Sequence, residues 1–461
     1  MSDLATPVAL PTPPTDGGRP DRAGTRAWVA EHLGDLAAHG APTAPSPVAA
    51  GGGLGGGAVS GGQQAADAAL AAFDPTGYAE RRNEVWPPGR RGASGLSPWV
   101  RHGLLTLADL WTHVADAPGA DRQRFRDELL WQEYARHLYA RLGTATATSL
   151  RFTPADLPDA SAPAGFALEG EGAVLPSGDL ACIALALGEL AAAGWVPNQA
   201  RLWLASWWVG HGGRRWEDGE DWLFARLLDG SRAANRLGWQ WVAGTATGSA
   251  WVLERSHVER RAPGLCATCL RRLDCPLERT AGGPSPGQSL GALPDADPRL
   301  AAQPGGEPGG VAVTGPEVVR SAPGRSAPEA VWLTAESLGD ADPALAAHPD
   351  LPALFVFDAP LLARLRLSAD RLVFLAETLA DLSTRREVAV WRGDPVAALS
   401  GRPLAVTFAP VPGFARRSAA LQPVETHPWP WLTWPDGAPL RSFSAWRRAL
   451  DVSSIGAGTR R

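Results

Sequence analysis

The chain of 461 residues contains no Lys, a single Met and only four Cys. All 43 basic residues are therefore Arg, which a bias toward GC-rich codons explains, so no function is drawn from it. The missing Lys also disposes of a tempting motif. Residues 51–57, GGGLGGG, suggest a phosphate-binding loop, but no strand precedes them and no Lys follows, so they read as linker. Four Cys in so long a chain exclude a disulfide scaffold and point to a reducing compartment. No basic stretch followed by an apolar run opens the sequence, so a secretory signal is not expected. The longest apolar run, Leu180 to Gly188, is far shorter than the roughly 20 residues of a membrane span. A cytoplasmic protein without membrane contact is expected. A net charge of −5 gives no global attraction to nucleic acid.

What the chain has in excess is Gly (52), Pro (42) and Trp (20). At about 150 residues per domain the length suggests three domains, but the clustering of Gly and Pro reduces this to two. Residues 1–62 read as mostly disordered, with a short helix over Arg26 to His39. Helical periodicity runs through residues 63–280: Phe125, Leu129, Trp131, Tyr134 and Leu138 recur along one long helix, and Gly194 and Pro197 mark a bend between two more. Residues 281–328 form a Pro/Gly-rich linker. Residues 329–450 carry short β-rich runs separated by helices, at Ala330 to Leu333, Leu354 to Phe357, Glu387 to Trp391 and Leu404 to Phe408, which predict a small α/β domain with a parallel sheet. Residues 451–461 form a tail.

The four Cys stand in one pattern: Cys182, a long gap, then Cys266, Cys269 and Cys275-Pro276. Thiolates so spaced bind Zn or an iron–sulfur cluster, and a final Cys-Pro is a frequent iron–sulfur context. Four unconnected buried thiols are the plainer reading, and the fact that the pattern uses every Cys speaks against it.

The most specific stretch is Asp229 to Trp241, DGSRAANRLGWQW, preceded by Asn198-x-x-Arg201 and Arg215-Trp216-Glu217. With Tyr78 to Asn83, Ser94-Gly95-Leu96-Ser97-Pro98-Trp99 and Trp131-Gln132-Glu133-Tyr134-Ala135-Arg136, it resembles the FAD-binding helical domain of the DNA photolyase/cryptochrome family, block by block and in the family's order. Residues 332–345 and 392–395 are similar to the family's α/β domain, which in that family comes first. The resemblance implies a mainly α FAD-binding domain followed by a small Rossmann-like α/β domain in permuted order, which is plausible because domain termini lie at surfaces and often close together.

The resemblance implies FAD bound by Tyr78, Ser94, Gly95, Leu96, Ser97, Glu133, Arg136, Asn198, Arg201, Asp229, Ser231 and Asn235. A pyrophosphate needs a cation and hydroxyl or backbone donors, which Arg201, Ser94 and Ser97 can supply. By resemblance Asn235 faces the flavin N5, Asp229 faces the ring, and Glu133 lies between flavin and substrate. Taken alone, Asp229 and Asn235 read as a helix cap and a turn residue. Trp239 would be the flavin-proximal member of an electron chain, Trp216 the next, and Trp241 the contact to a flipped base. The third Trp of that chain, due between Thr144 and Asp179, is missing. Trp195, Trp203, Trp207, Trp208, Trp222 and Trp251 read as core.

One subgroup, the iron–sulfur bacterial cryptochromes and photolyases, carries a [4Fe–4S] cluster on similarly placed Cys, which implies such a cluster on Cys182, Cys266, Cys269 and Cys275, with Zn the alternative. The implied activity is light-dependent repair of cyclobutane pyrimidine dimers in damaged DNA, with Arg81, Arg82 and Arg101 on the phosphates. Pro197 and Ser231 depart from the family's pattern and favour the alternative, a cryptochrome-like photoreceptor or redox flavoprotein without repair activity. A member that has lost its flavin is the third reading. The antenna chromophore is unspecified, and a monomer is expected.

Overall fold

Among the described residues nine short strands form: β1 (Val8–Leu10), β2 (Thr15–Asp16), β3 (Arg19–Pro20), β4 (Val319–Arg320), β5 (Ala330–Leu333), β6 (Ala353–Asp358), β7 (Val388–Gly393), β8 (Leu404–Thr407) and β9 (Glu425–His427). They are seen in a computed structural model that describes residues 4–38, 59–154, 179–278, 287–291, 293, 317–320, 327–435, 439–452 and 455. Seven strands make one sheet in the order β1-β7-β6-β5-β8-β9-β4, and β2 pairs with β3 separately. β5 to β9 run parallel, while β1 and β4 close the two edges antiparallel. Numbered along the chain, the five parallel strands lie third, second, first, fourth, fifth, so connections leave β5 toward both sides.

The parallel strands are apolar on both faces because both faces are covered. Val331, Leu333, Phe355 and Phe357 bury against one layer, which includes the helices Arg22–Leu33 and Ala369–Ser383. Ala330, Trp332, Leu354 and Val356 alternate with them and pack on the other side against Phe408, Phe414, Trp429 and Trp431. A third cluster, rich in Trp, is built from the helices Ala181–Ala193, Asn198–Ser206, Trp216–Arg226 and Arg232–Val242. The bend expected at Gly194 is there: this residue caps the first of these helices with φ +61°, a left-handed conformation that glycine adopts at little cost.

The expectation of disorder over residues 1–62 fails for residues 4–38. Val8–Leu10 pairs with Val390, Trp391 and Arg392, and Trp28, Val29 and Leu33 enter the core beneath the sheet. The helix itself spans Arg22–Leu33, started by the Asp21 carboxylate accepting from the Ala23 N–H. The burial of three large side chains holds this segment, whatever its Pro and Gly content. Residues 59–62 are also tied down, with Gly61 N donating to Glu377 Oε2 at 2.7 Å. The Gly-rich run 51–57, residues 155–178 of the stretch that lacks a Trp, most of the 281–328 linker and most of the 451–461 tail lie outside the described residues. Among the described residues no helix is long and apolar enough to cross a membrane.

Candidate functional site

Ser231 caps the helix Arg232–Val242 through its hydroxyl, and Asn235 and Trp239 follow at intervals of four. That spacing stacks the three side chains on one helix face. They line a cavity of about 290 Å³ together with Asn198, Arg201, Asp229, Tyr78, Ser94, Gly95 and Ser97. Gly95, at φ +69°, lets the chain turn sharply between the two serines. Arg201 donates to the Asp229 Oδ2 at 2.7 Å and to the Val196 carbonyl at 3.0 Å. The other Asp229 oxygen, Oδ1, and the Asn235 amide nitrogen are buried without a hydrogen-bond partner. Burying polar atoms in this way costs roughly 1–3 kcal/mol each, so an acceptor and a donor stand ready at one wall of the cavity. The Tyr78 phenol, also buried at the cavity wall, is pushed upward in pKa by desolvation.

Three expected members lie elsewhere. Leu96 is core, 1% exposed. Glu133 is fully buried, but its Oε1 accepts the backbone N–H groups of Leu432 at 2.6 Å and Thr433 at 3.1 Å. It pins the C-terminal segment, as do Tyr134 through the Leu440 carbonyl and His137 through the Thr433 carbonyl. The His137 Nδ1 accepts from the Trp446 indole N–H, so its proton sits on Nε2. Arg136 lies over the Trp429 ring, 5.1 Å from its centroid, and burial brings its pKa down to about 10. The helix Gly119–Leu142 turns about 100° per residue, and the face toward the cavity carries Glu128 and Gln132 instead. Arg82 pairs with Glu128 at 3.1 Å, and Trp195 donates to the Ser97 hydroxyl at 2.9 Å. The i, i+4 relation of Glu128 to Gln132 is the sequence signal that marks this stripe.

The indoles also differ from expectation. Trp239 lines the cavity, and its ring meets that of Trp208 at 6.3 Å, which in turn meets Trp222 at 6.0 Å. Trp216 is buried in the same core, its indole nitrogen unpartnered, and makes no ring contact with Trp239 among the described residues. Trp241 is 39% exposed and stacks on Trp251. Arg101 is not free for phosphates: it pairs with Glu336 at 2.7 Å and donates to the Gly230 carbonyl.

One further cavity adjoins this one, and a cysteine cluster lies apart from both. A second cavity, about 390 Å³, opens at the carboxyl ends of β5, β6 and β8, and Arg101, Gln132 and Ser231 line both cavities. Cys182, Cys266, Cys269 and Cys275 converge on a small hollow walled by Leu180, Val258, Leu265 and Leu277. Ala181 N donates to the Cys269 sulfur at 3.4 Å. Burial pushes the Cys182 thiol up to about 12, and burial likewise raises Cys266 and Cys275.

Residues 180–259, which hold Asn198, Arg201, Asp229, Asn235 and Trp239, match the family described as the FAD binding domain of DNA photolyase. The resemblance is to DNA photolyases. A deoxyribodipyrimidine photo-lyase of Thermus thermophilus is 30% identical over 192 residues, 41% of this chain and 44% of the relative. One from Escherichia coli is 29% identical over 194 residues, covering 41% and 40%. One from Synechococcus is 27% identical over 194 residues, covering 39% and 37%. The chain thus matches less than half the length of these photolyase relatives. A crystal structure of a bacterial class III photolyase from Agrobacterium tumefaciens aligns at 24% identity and a TM-score of 0.34 over 43% of this chain and 42% of that one. The photolyase-like cavity therefore rests on the match over residues 180–259 and on its own geometry.

Proposed function

We propose that the chain binds FAD in the cavity around Asp229, Asn235 and Trp239 and uses it for light-dependent repair of cyclobutane pyrimidine dimers in DNA. The observation that carries this reading is the pair of buried, unpartnered polar atoms, Asp229 Oδ1 and Asn235 Nδ2, beside the Arg201 cation in one cavity. A flavin ring system offers both a donor and an acceptor to such a wall, and its pyrophosphate suits the Arg201 guanidinium and the hydroxyls of Ser94 and Ser97. The residues present therefore fit FAD. When bound, FAD supplies a light-driven electron donor. This chain's residues hold and orient it, and the exposed Trp241 offers flat apolar surface to a base turned out of the duplex. Arg81, exposed beside the cavity, is suited to a phosphate.

We read the sheet as the family's Rossmann-like domain in permuted order, because its five parallel strands follow the helical segment and lie in the doubly wound arrangement. We assign a [4Fe–4S] cluster to the four Cys. The four sulfurs line one hollow, all four Cys of the chain fall in this one pattern, and a final Cys-Pro is a frequent iron–sulfur context; tetrahedral Zn²⁺ is the alternative. The 390 Å³ cavity is the place to seek an antenna chromophore. Ser231, engaged in capping its helix, supports the second reading, a flavin photoreceptor without repair.

The test is an absorption spectrum of the purified chain followed by blue-light treatment of an oligonucleotide carrying a thymine dimer. Flavin bands and light-dependent loss of the dimer are expected. Flavin bands with the dimer left intact would establish the photoreceptor reading, and a flavin-free preparation would overturn both.

A further inference from the structure

Glu425 and His427 are alternate residues of β9, so the pleat sets both side chains on one face of the sheet. His348, which ends the helix Pro343–Ala347, reaches the same point from another element. Its Nε2 lies 2.7 Å from the Glu425 Oε2, and the His427 Nε2 lies 3.3 Å from the same oxygen. The imidazoles stand edge to face with centroids 5.7 Å apart, and the three ligand atoms all fall within 4.8 Å of one another.

We propose that His348, Glu425 and His427 form a binding site for a divalent transition metal ion, Zn²⁺ being the best matched. Two imidazole nitrogens and one carboxylate oxygen are a zinc donor set that leaves a fourth position open for water. With metal–ligand bonds of about 2.0–2.1 Å, tetrahedral ligand atoms lie about 3.3 Å apart. The His427–Glu425 pair already has that separation, and His348 needs to withdraw from Glu425 by about 0.6 Å. Imidazole binds metal only when neutral.

The site has a sheltered side and an open one: side-chain exposure is 5% for His427, 13% for Glu425 and 21% for His348. The competing cation is Arg320 of β4, which donates to the other Glu425 oxygen, Oε1, at 3.1 Å and is 68% exposed. It leaves Oε2 to the two imidazoles and has room to swing outward. Bound metal would lock β9 to the helix Pro343–Ala347 at the edge where β4 joins the sheet. Neither the flavin cavity nor the cysteine centre uses these three residues.

The test titrates the full chain, with its flavin and its cysteine centre intact, with Zn²⁺ and separately with Co²⁺. Uptake of one ion per chain is expected, the cobalt form showing weak visible bands without a thiolate charge-transfer band. His348→Ala and His427→Ala should each weaken binding at least as much as the roughly 10–100-fold that outer-shell changes cost. Arg320→Ala should tighten it. Absence of uptake by the parent chain, a cobalt spectrum of thiolate type only, or equal uptake by the double His variant would each overturn the site. The cobalt spectrum is read on the unaltered protein, so the outcome does not depend on how the variants fold.

Discussion

The ring of Trp208 stands edge-on to that of Trp239 at 6.3 Å and also meets Trp222, partly exposed, at 6.0 Å. Three indoles thus run from the cavity wall toward the surface, with Arg226 over the last at 4.4 Å. Trp208→Phe should therefore slow photoreduction of the bound flavin by at least roughly tenfold, an order-of-magnitude expectation for a broken relay, and Trp239→Phe should abolish it. Trp216→Phe should have the smaller effect. Transient absorption after a blue-light pulse measures this, and a larger loss in Trp216→Phe than in Trp208→Phe would return the relay to the order expected from sequence.

Glu128 lines the cavity, whereas Glu133 accepts from the backbone of the C-terminal segment. Glu133→Ala leaves the Leu432 and Thr433 N–H groups without their acceptor. A loss of roughly 2–6 kcal/mol of stability is expected at about 1–3 kcal/mol per group, with little change in flavin affinity of the folded protein. Glu128→Gln, at a half-exposed carboxylate paired with Arg82, should leave the melting temperature nearly unchanged and alter flavin binding or dimer repair. Chemical denaturation beside flavin titration separates the two. Unaltered flavin binding and repair in Glu128→Gln would remove it from the site.

The uneven legibility of the sequence has physical causes. Ala330–Leu333 is legible because a buried parallel strand is apolar on both faces, and the Cys are legible because one pattern uses them all. Val8–Leu10 is not: three residues between Pro7 and Pro11 carry no local signal, and only pairing with β7 makes them a strand. Motif matching misplaces Glu133 because it ignores helical phase, which a rotation of about 100° per residue makes decisive. Trp208 lies in a Trp-rich run, where sequence separates core packing from ring-to-ring contact only through angles it does not contain.

Asp342 gives a pH dependence of definite sign. It caps the helix Pro343–Ala347, its Oδ1 accepting from the Ala344 and Leu345 N–H groups at 3.1 Å. Burial nevertheless raises its pKa from 3.8 to about 6, against the opposing hydrogen bonds. The folded state thus favours the protonated form. Its contribution is full below about pH 4 and is lost as pH rises through about 6, in total on the order of 3 kcal/mol. Asp342→Asn keeps a capping oxygen and does not titrate. Relative to the parent, it should gain stability between about pH 4 and pH 7 by an amount of that order, read from denaturation curves at both values. Parallel curves would show that the buried carboxyl does not titrate in this range.

If the four Cys hold the proposed cluster, its removal should loosen one wall of the Trp-rich core. Cys182, Cys269 and Cys275 are buried in the same cluster as Trp203, Trp208 and Trp239, and Cys182 is pushed up to about 12. Without a metal, burial keeps the Cys182 and Cys275 thiols protonated at neutral pH. Binding must displace their protons, so acid competes with the metal. Cys269→Ser should abolish iron incorporation, because the ligand that also accepts the Ala181 N–H is lost, and the melting temperature should fall by several degrees, which at this chain length corresponds to a few kcal/mol. Iron and acid-labile sulfide in equal amounts in the parent, released on acidification, are the expected analysis. Zinc in place of iron, present in the parent and lost in Cys269→Ser, would overturn the cluster assignment while leaving the four thiolates as a metal site.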